Sequence, residues 1–435
     1  EYCKKDADLA LRLAKLMKKT IMNTTLKKGK LSFKKPISQA KIAEHYILSN
    51  FKYPVIPKSV EMYHYFARLA YNGGMFETFK RGVFNQPLYS YDINSAYPSV
   101  MKDLPHWGNG RFETVKTPLE YDTTHGWYYC ELDSQFIPYE DYGHPYEEEF
   151  CWGEASEETC TTVLLNPKRI VYPVGKRKRW ITKLDYAWLL SLNQYCKWLG
   201  GFEWVQTKNE YENPFAWIPE VFSERQKLRL KDKEDIRQYS LKILLNSPYG
   251  KTAQYKRGSG KMTNFFYASE ITSGTRRIVA DVAYKYPDEI VEIATDSVLL
   301  TRKISLPLNK ELGGWGLDTY VKGLLIGSGI RQTWKEDGSF VTHARGITDK
   351  KDWNMEEEIL TGFNTNEQKE NLECDYLYFG KDRPIHLGEM LMHHNKLSLP
   401  DLCKFMKVSK RLRVNTDKKR RWEGDYKTWK DFMCS

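Results

Sequence analysis

The sequence predicts an α/β protein whose lobes, roughly two to four of them, pack around a shared centre. Its 435 residues exceed what one core usually serves. Segments with helical apolar spacing and segments with alternating, strand-like spacing both occur along the chain. No internal repeat and no long low-complexity linker is present, which favours lobes packed together over beads on a string.

From the N-terminus, residues 1–19 read as an amphipathic helix and 36–72 as further helix around PISQAKIAEHYIL and EMYHYFARLAY. YNGGMF (71–76) is a turn, since paired glycines punctuate regular structure. PLYSYDI (87–93) alternates and is a strand that ends beside Asp92. Residues 102–165, rich in aromatics and acidic around YEEEF, are read as irregular. RIVYPVGKRKRWIT (169–182) is a basic strand signal leading into a helix over DYAWLLSLNQYCKWL. From 219 to 256, two charged helices flank the polar tip KDKED (231–235), which predicts an antiparallel helical hairpin. A third helix covers about 268–285, and EIVEIATDSVLLT (289–301) reads as two short strands joined by a tight turn from Ala294 to Ser297.

Composition narrows the class. With 67 Lys and Arg against 56 Asp and Glu, the net charge of +11 favours a polyanionic partner, although a ribosome-binding or membrane-surface protein has a similar balance. The eight cysteines form no CxxC pair and no dense framework, so neither a zinc finger nor a disulfide scaffold is indicated, and a reducing, intracellular compartment is expected. No apolar run approaches the about 20 residues that a spanning helix needs, and the start EYCKKDADLALRL is no signal peptide. That start lacks an initiator Met, consistent with a chain cut from a longer protein.

Two carboxylates stand out because each ends or turns a strand: Asp92, and Asp296 in IATDSVLL. Transfer of a phosphoryl or nucleotidyl group needs hard divalent metals, which prefer carboxylates on rigid backbone. Taken singly, each acid also reads as a turn or cap residue. In KILLNSPYGKTAQ, Lys242, Asn246 and Tyr249 share one helical face, and Arg225 and Arg229 share a face of the preceding helix. Together they suit a triphosphate and a base; a solvated basic face is the competing reading for the two arginines. Asn246, Ser247, Pro248 and Gly250 all disfavour the middle of a helix, so a local requirement is expected there.

YDINSAYPSVM, KILLNSPYG and ATDS together resemble the three polymerase motifs of family B DNA polymerases, written DxxSLYPS, KxxxNSxYG and DTDS, and they occur in the family's order. YNGG at 71–74 resembles the YxGG signature of the protein-primed branch, which includes bacteriophage and linear-plasmid replicases. Tyr2 and Asp6 match the YxxxD pattern of the family's last 3′–5′ exonuclease motif, and the two earlier exonuclease motifs have no counterpart. The resemblance covers roughly residues 60–350.

The resemblance implies a right-hand polymerase: the end of an exonuclease-like domain at 1–20, a linker and template-contact region at 21–86, palm at 87–218 with an insertion at about 102–165, fingers at 219–258, palm again at 259–348 and thumb at 349–435. The implied activity is template-directed DNA synthesis from a primer 3′-end by two-metal nucleotidyl transfer, without proofreading by this chain. Asp92 and Asp296 would be catalytic and, with the backbone of Ile93, would hold two Mg2+ ions, for which Mn2+ could substitute. Ser95, Ala96, Tyr97, Arg225, Arg229, Lys242, Asn246 and Tyr249 would bind the deoxynucleoside triphosphate, with Tyr97 under the sugar where a 2′-hydroxyl finds no room. Tyr71, Gly73, Gly74, Ser247, Gly250 and Thr295 would meet DNA. The stretch 404–422 carries nine Lys or Arg against the single acid Asp417, and Lys418, Lys419, Arg420 and Arg421 in it would track duplex phosphates. KRKRW (176–180) is a second candidate duplex contact. Implied partners are primer-template DNA, with a terminal protein or processivity factor as further candidates, for a cytoplasmic monomer that engages no membrane.

Three features depart from the family pattern. Ala294 stands where the third motif usually has Asp, GLLIGSGIRQTW (323–334) gives no clean match to the primer-gripping KxY motif, and the interval from Lys242 to Asp296 is short for the insertion tied to strand displacement. Two rival readings follow: a polymerase-derived nucleic-acid-binding protein that has lost its chemistry, and a primase-polymerase that needs no primer. Intact Asp92, Lys242, Tyr249 and Asp296 weigh against the first, because a mere binder needs no triphosphate site. Product on an unprimed template would mark the second.

Overall fold

A computed structural model of the chain describes residues 25–26, 29–30, 39–141, 169–172, 176–233, 235–254, 260–327, 329–344, 355–356, 376–384 and 405–413. In chain order, a small ribbon of β1 (Thr25–Leu26) and β2 (Gly29–Lys30) precedes α1 (Gln39–Asn50) and α2 (Glu61–Ala70). Then come β3 (Met75–Thr78), β4 (Gly82–Phe84), β5 (Leu88–Ile93), the short helix α3 (Ala96–Met101), β6 (Gly110–Thr114), β7 (Gly126–Leu132), β8 (Tyr139–Asp141), β9 (Arg169–Val171), β10 (Arg177–Thr182), α4 (Lys183–Ser191) and β11 (Cys196–Gln206). The helical section is α5 (Ile218–Lys231), α6 (Ile236–Thr252) and α7 (Phe265–Lys285). The remainder is β12 (Ile290–Thr295), β13 (Ser297–Leu300), β14 (Trp315–Tyr320), β15 (Lys322–Gly327), β16 (Ile330–Trp334), β17 (Phe340–Ala344), β18 (Tyr376–Pro384) and β19 (Phe405–Arg413). The mixture of helices and sheets is the α/β class expected.

A five-stranded antiparallel sheet in the order β14-β5-β13-β12-β3 lies at the centre. Its apolar positions are covered by α7, which starts where the Asn264 side chain accepts a hydrogen bond from the Tyr267 amide and buries Val279, Ala280 and Ala283. A second sheet, β10-β7-β11-β6, packs aromatic side chains against α2 and α7: Trp127, Phe202 and Phe266 are all buried there. A third, β17-β16-β15-β4, shares the cluster of Leu88, Val291, Leu299 and Leu325 with the central sheet. Two buried ion pairs lie in this core: Lys183 with Glu203 at 2.6 Å and Arg276 with Asp185 at 3.1 Å.

Several expected elements are present. The strand at 87–93 is β5, the hairpin of 219–256 is α5 and α6 with the turn where it was expected, the third helix is α7, and 289–301 folds as β12 and β13. Others need correction. The irregular reading of 102–165 fails at Gly110–Thr114 and Gly126–Leu132, because β7 is an inner strand covered on both faces and GWYYCEL therefore shows no alternation. The helix expected over DYAWLLSLNQYCKWL ends at Ser191; Asn193 turns the chain with a left-handed φ of 54°, and Cys196 begins the strand β11. The single helical stretch at 36–72 is two helices, interrupted around Pro54 and Pro57. The turn at 71–76 stops at Gly74, with Met75 already in β3. The helix expected at 1–19, the exonuclease-type residues Tyr2 and Asp6, and the basic residues Lys418, Lys419, Arg420 and Arg421 lie outside the described residues. Among the described residues no helix is long and apolar enough to cross a membrane.

Candidate active site

The two acids that the sequence singled out are neighbours. β13 lies beside β5 with Ser297 opposite Asp92, and the Ile93 amide donates to the Asp296 carbonyl at 2.9 Å, so the ends of two strands are tied at the carboxylates. The β12–β13 connection is tighter than a four-residue turn. The Asp296 amide donates to the Ala294 carbonyl at 2.8 Å and Thr295 takes φ 64°, which makes a γ-turn centred on a β-branched residue. Such backbone is strained, and the surrounding sheet holds it: Thr295 pairs with Met75 of β3. On the other side, Ser95 also has a left-handed φ of 54° and turns β5 into α3. That turn is clamped by the Asn94 amide donating to the Gly314 carbonyl at 2.9 Å and the Gly313 amide donating to the Asn94 carbonyl at 2.8 Å.

Electrostatics set the acids apart from ordinary turn residues. Asp92 is pushed up to about 7 by burial, then by the charges of Asp296 and Asp318, with Arg331 and Lys242 opposing. Burial also raises Asp296, opposed by its own backbone amide and by Lys242. Lys242 therefore stands within electrostatic reach of both. Neither carboxylate has an ion pair or a side-chain hydrogen bond among the described residues, and among those residues no group of three or more His, Cys, Asp or Glu side chains gathers to hold a metal. Two adjacent, unneutralised carboxylates on strand ends suit Mg2+, which binds through one or two carboxylates and completes its shell with water and substrate phosphates.

An aromatic wall stands beside the acids. Tyr249 of α6 stacks on Tyr97, with ring centroids 4.0 Å apart and planes at 23°. Tyr97 is raised by burial first and then by Tyr249 and Asp296; Tyr71 is pushed up to about 12 by burial and by Tyr249. A Cβ on Gly74 would lie 2.5 Å from the Tyr97 hydroxyl and 2.7 Å from Thr295 Cγ2, so the second glycine of YNGG is where α2's continuation, the β12–β13 turn and Tyr97 meet. The structure thus brings together Asp92, Ile93, Asp296, Thr295, Tyr97, Ala96, Tyr71, Gly74, Lys242 and Tyr249.

The remaining candidates are less closely tied to that group. Arg225 is half-buried, with its Nε unpartnered among the described residues, and burial together with Arg229 lowers its pKa; no described contact joins either arginine to the acids. Asn246 and Gly250 are exposed on α6 beside Ser247, and the helix continues through Pro248. Gly73 has open space around it. Sequence reasoning missed Asp318 and Arg331, both of which act on Asp92. The alternation in WGLDTY, which sets Asp318 on the Asp92 face of β14, was the available signal for the first.

Sequence comparison gives the class: residues 1–284 match the family described as DNA polymerase type B, organellar and viral, and the chain belongs to that family. It is 22% identical over 280 residues to the DNA polymerase of Acidianus bottle-shaped virus (isolate Italy/Pozzuoli), a match covering 60% of this chain and 37% of that protein. The chain thus spans well under half the length of this viral relative. Among solved structures it is similar to phi29 DNA polymerase complexed with primer-template DNA and incoming nucleotide substrates, with a TM-score of 0.55 at 16% identity over 87% of this chain and 68% of that one. A phi29 DNA polymerase complex with primer-template DNA alone gives a TM-score of 0.54 at 15% identity, covering 87% and 67%. At these identities the likeness shows a shared fold.

Proposed function

We propose that the chain is the synthetic part of a DNA-directed DNA polymerase, adding deoxynucleotides to a primer 3′-end under the direction of a template. The observation that carries this reading is the junction of Asp92 and Asp296, two unneutralised carboxylates joined through Ile93 and faced by Lys242 and the Tyr97–Tyr249 stack. Family membership and the phi29-like fold support it. In this reading the palm (87–218 and 259–348) supplies four strands of the five-stranded sheet and its edge strand β3 comes from the template-contact region (21–86), α5 and α6 are the fingers (219–258), the chain from 349 on is the thumb, and residues 1–20 are the exonuclease remnant.

Asp92, Asp296 and the Ile93 carbonyl would hold two divalent ions, which when bound lower the pKa of the primer hydroxyl and offset charge on the triphosphate. Lys242 neutralises phosphate charge beside the acids, and Arg225 with Arg229 adds guanidinium donors suited to phosphate oxygens. Tyr97 lies under the incoming sugar with Ser95 and Ala96, while Tyr249 and Asn246 border the new base pair. Tyr71, Gly73, Gly74, Ser247, Gly250 and Thr295 border the template and primer strands.

The test is extension of a labelled primer on a template with Mg2+ or Mn2+, comparing the wild-type chain, Asp296→Asn and an unprimed template. Extension that depends on primer and disappears in the variant supports the reading. Duplex binding without extension under either metal sinks it in favour of a binding protein, and product without primer redirects it to a primase-polymerase.

A further inference from the structure

Away from the acids, the second sheet carries a basic and aromatic face beside α2. The register aligns two rows across β10, β7 and β11: Lys178, Glu131 and Lys197 in one, Trp180, Tyr129 and Gly200 in the next. Rows two residues apart share a face and lie about 7 Å from each other. Among the described residues Lys178 and Lys197 are exposed, and Lys176 Nζ stands 4.7 Å from the centroid of the Tyr195 ring, whose hydroxyl donates to Glu131 at 2.5 Å. The cations therefore outnumber the one acid in that row. Arg177, between them in sequence, turns the other way and donates to the Ser134 and Ile137 carbonyls, so KRKRW presents one basic, aromatic face rather than a uniform cationic strip. Beside the second row, α2 and the sheet enclose a cleft of about 340 Å3 walled by Tyr63, Phe66, Trp180 and Phe202, with Thr114 also lining it and Met62 69% exposed at its edge. Phe66 stacks on Trp180 with ring centroids 4.3 Å apart and fixes the indole. A Cβ on Gly200 would meet nothing within 4 Å, so the row is open beside Tyr129.

We propose that this face of the second sheet binds single-stranded DNA, its lysines meeting backbone phosphates and its aromatic cleft taking an unpaired base. Cations beside fixed aromatic rings are the pairing of chemistries that an unpaired strand needs, because every base offers a π-face and every linkage a charge. A duplex keeps its bases stacked on one another and would offer this face phosphates alone, which leaves the apolar cleft and Met62 in water. The Thr114 hydroxyl, 3.1 Å from that of Tyr63, puts polar groups where the edge of a base can meet them without selecting one base over another. The choice of DNA rests on the polymerase reading. The site itself shares no residue with the group around Asp92 and Asp296 and calls for no metal.

The experiment uses the full chain with a chelator present, so that no synthesis occurs. It measures binding of a labelled oligothymidylate and of a blunt duplex of the same length, then cross-links an oligothymidylate carrying 5-iodouracil and maps the modified peptides. A cross-link to the peptide carrying Trp180 or to that carrying Tyr129 is expected. Gly200→Glu sets a carboxylate into open space among the lysines and should weaken oligothymidylate binding about tenfold while duplex binding holds. Trp180→Ala should lose about as much, the worth of one base stack. Cross-links confined to other peptides, or a Gly200→Glu that binds the oligothymidylate like the wild type or loses duplex binding equally, would overturn the proposal. The cross-link is read on the wild type, so a folding defect in Trp180→Ala would not decide the outcome. Neither readout depends on primer extension, so failure here leaves the polymerase reading to its own test, and failure of that reading leaves this site standing.

Discussion

The ring of Tyr249 lies on the ring of Tyr97, 4.0 Å between centroids, so α6 and the turn after Asp92 close on each other through two phenols. The contact places an aromatic floor beside the acids. Shortening Tyr97 to Ala removes a pair worth about 1 kcal/mol beyond its buried area and, in the proposed reading, opens space under the incoming sugar. The ratio of ribonucleotide to deoxynucleotide incorporation should rise by at least about tenfold, equivalent to about 1.4 kcal/mol. Single-nucleotide incorporation kinetics measure it, and an unchanged ratio would remove Tyr97 from sugar selection.

The two glycines of YNGG should respond differently. Ala at position 74 brings its methyl 2.5 Å from the Tyr97 hydroxyl and 2.7 Å from Thr295, and both neighbours are held by packing. Overpacking there should cost about 1–3 kcal/mol and depress extension. Gly73→Ala meets nothing within 4 Å and should keep wild-type stability. Gly250→Ala also meets nothing within 4 Å and replaces a glycine inside α6, so it should stabilise by about 0.5–1 kcal/mol. Chemical denaturation of the three variants tests the order; loss of extension by Gly250→Ala without loss of stability would mark a DNA contact.

The pH dependence follows from Asp92. Its carboxyl is raised from 3.8 to about 7, so the folded chain keeps a proton that the unfolded chain has already released. Stability contributed at this site is therefore lost as pH rises from about 4 to 7 and is level above that; Asp296, also raised, has the same sign. With a chelator present, Asp92→Asn should melt above the wild type at about pH 7.5, and the gap should narrow towards about pH 4.5. Added Mg2+ should raise the melting temperature of the wild type near pH 7.5 but not that of the variant, because the metal needs ionised carboxylates. A wild type indifferent to Mg2+ would speak against a metal site.

Much of this site was legible because its parts are local. Strand ends, a tight turn and a helix face leave short signatures, and Asp92, Asp296, Lys242 and Tyr249 were each singled out that way; that the turn is a γ-turn centred on Thr295 was not legible. Their meeting was not local: the Ile93–Asp296 hydrogen bond joins strands whose pairing depends on the whole central sheet. The second sheet was largely missed for a different reason. β7 buries both faces, which erases alternation, and the bulge between Trp198 and Gly200 breaks the period of β11. Pro248 shows the converse case, in which tertiary packing keeps α6 helical through a residue that removes a backbone donor.

Beneath the acids, Arg331 of β16 forms a buried ion pair with Glu292 of β12, and Glu292 also accepts from the Gly329 amide at 2.8 Å and the Thr78 hydroxyl at 3.5 Å. This pair links the third sheet to the strand that ends in the γ-turn. Arg331→Met would leave a fully buried carboxylate without its cation, which should cost about 3–5 kcal/mol, whereas Arg331→Met combined with Glu292→Gln removes both charges and should recover much of that loss. Because Arg331 also lowers the Asp92 pKa, its removal should push that pKa further up and move the acidic limb of primer extension to higher pH. Urea unfolding of the single and double variants, with pH–rate profiles, separates the two effects. If the double variant is no more stable than Arg331→Met, the buried pair is not what holds β16 to β12; if the acidic limb stays in place, Arg331 acts on stability alone.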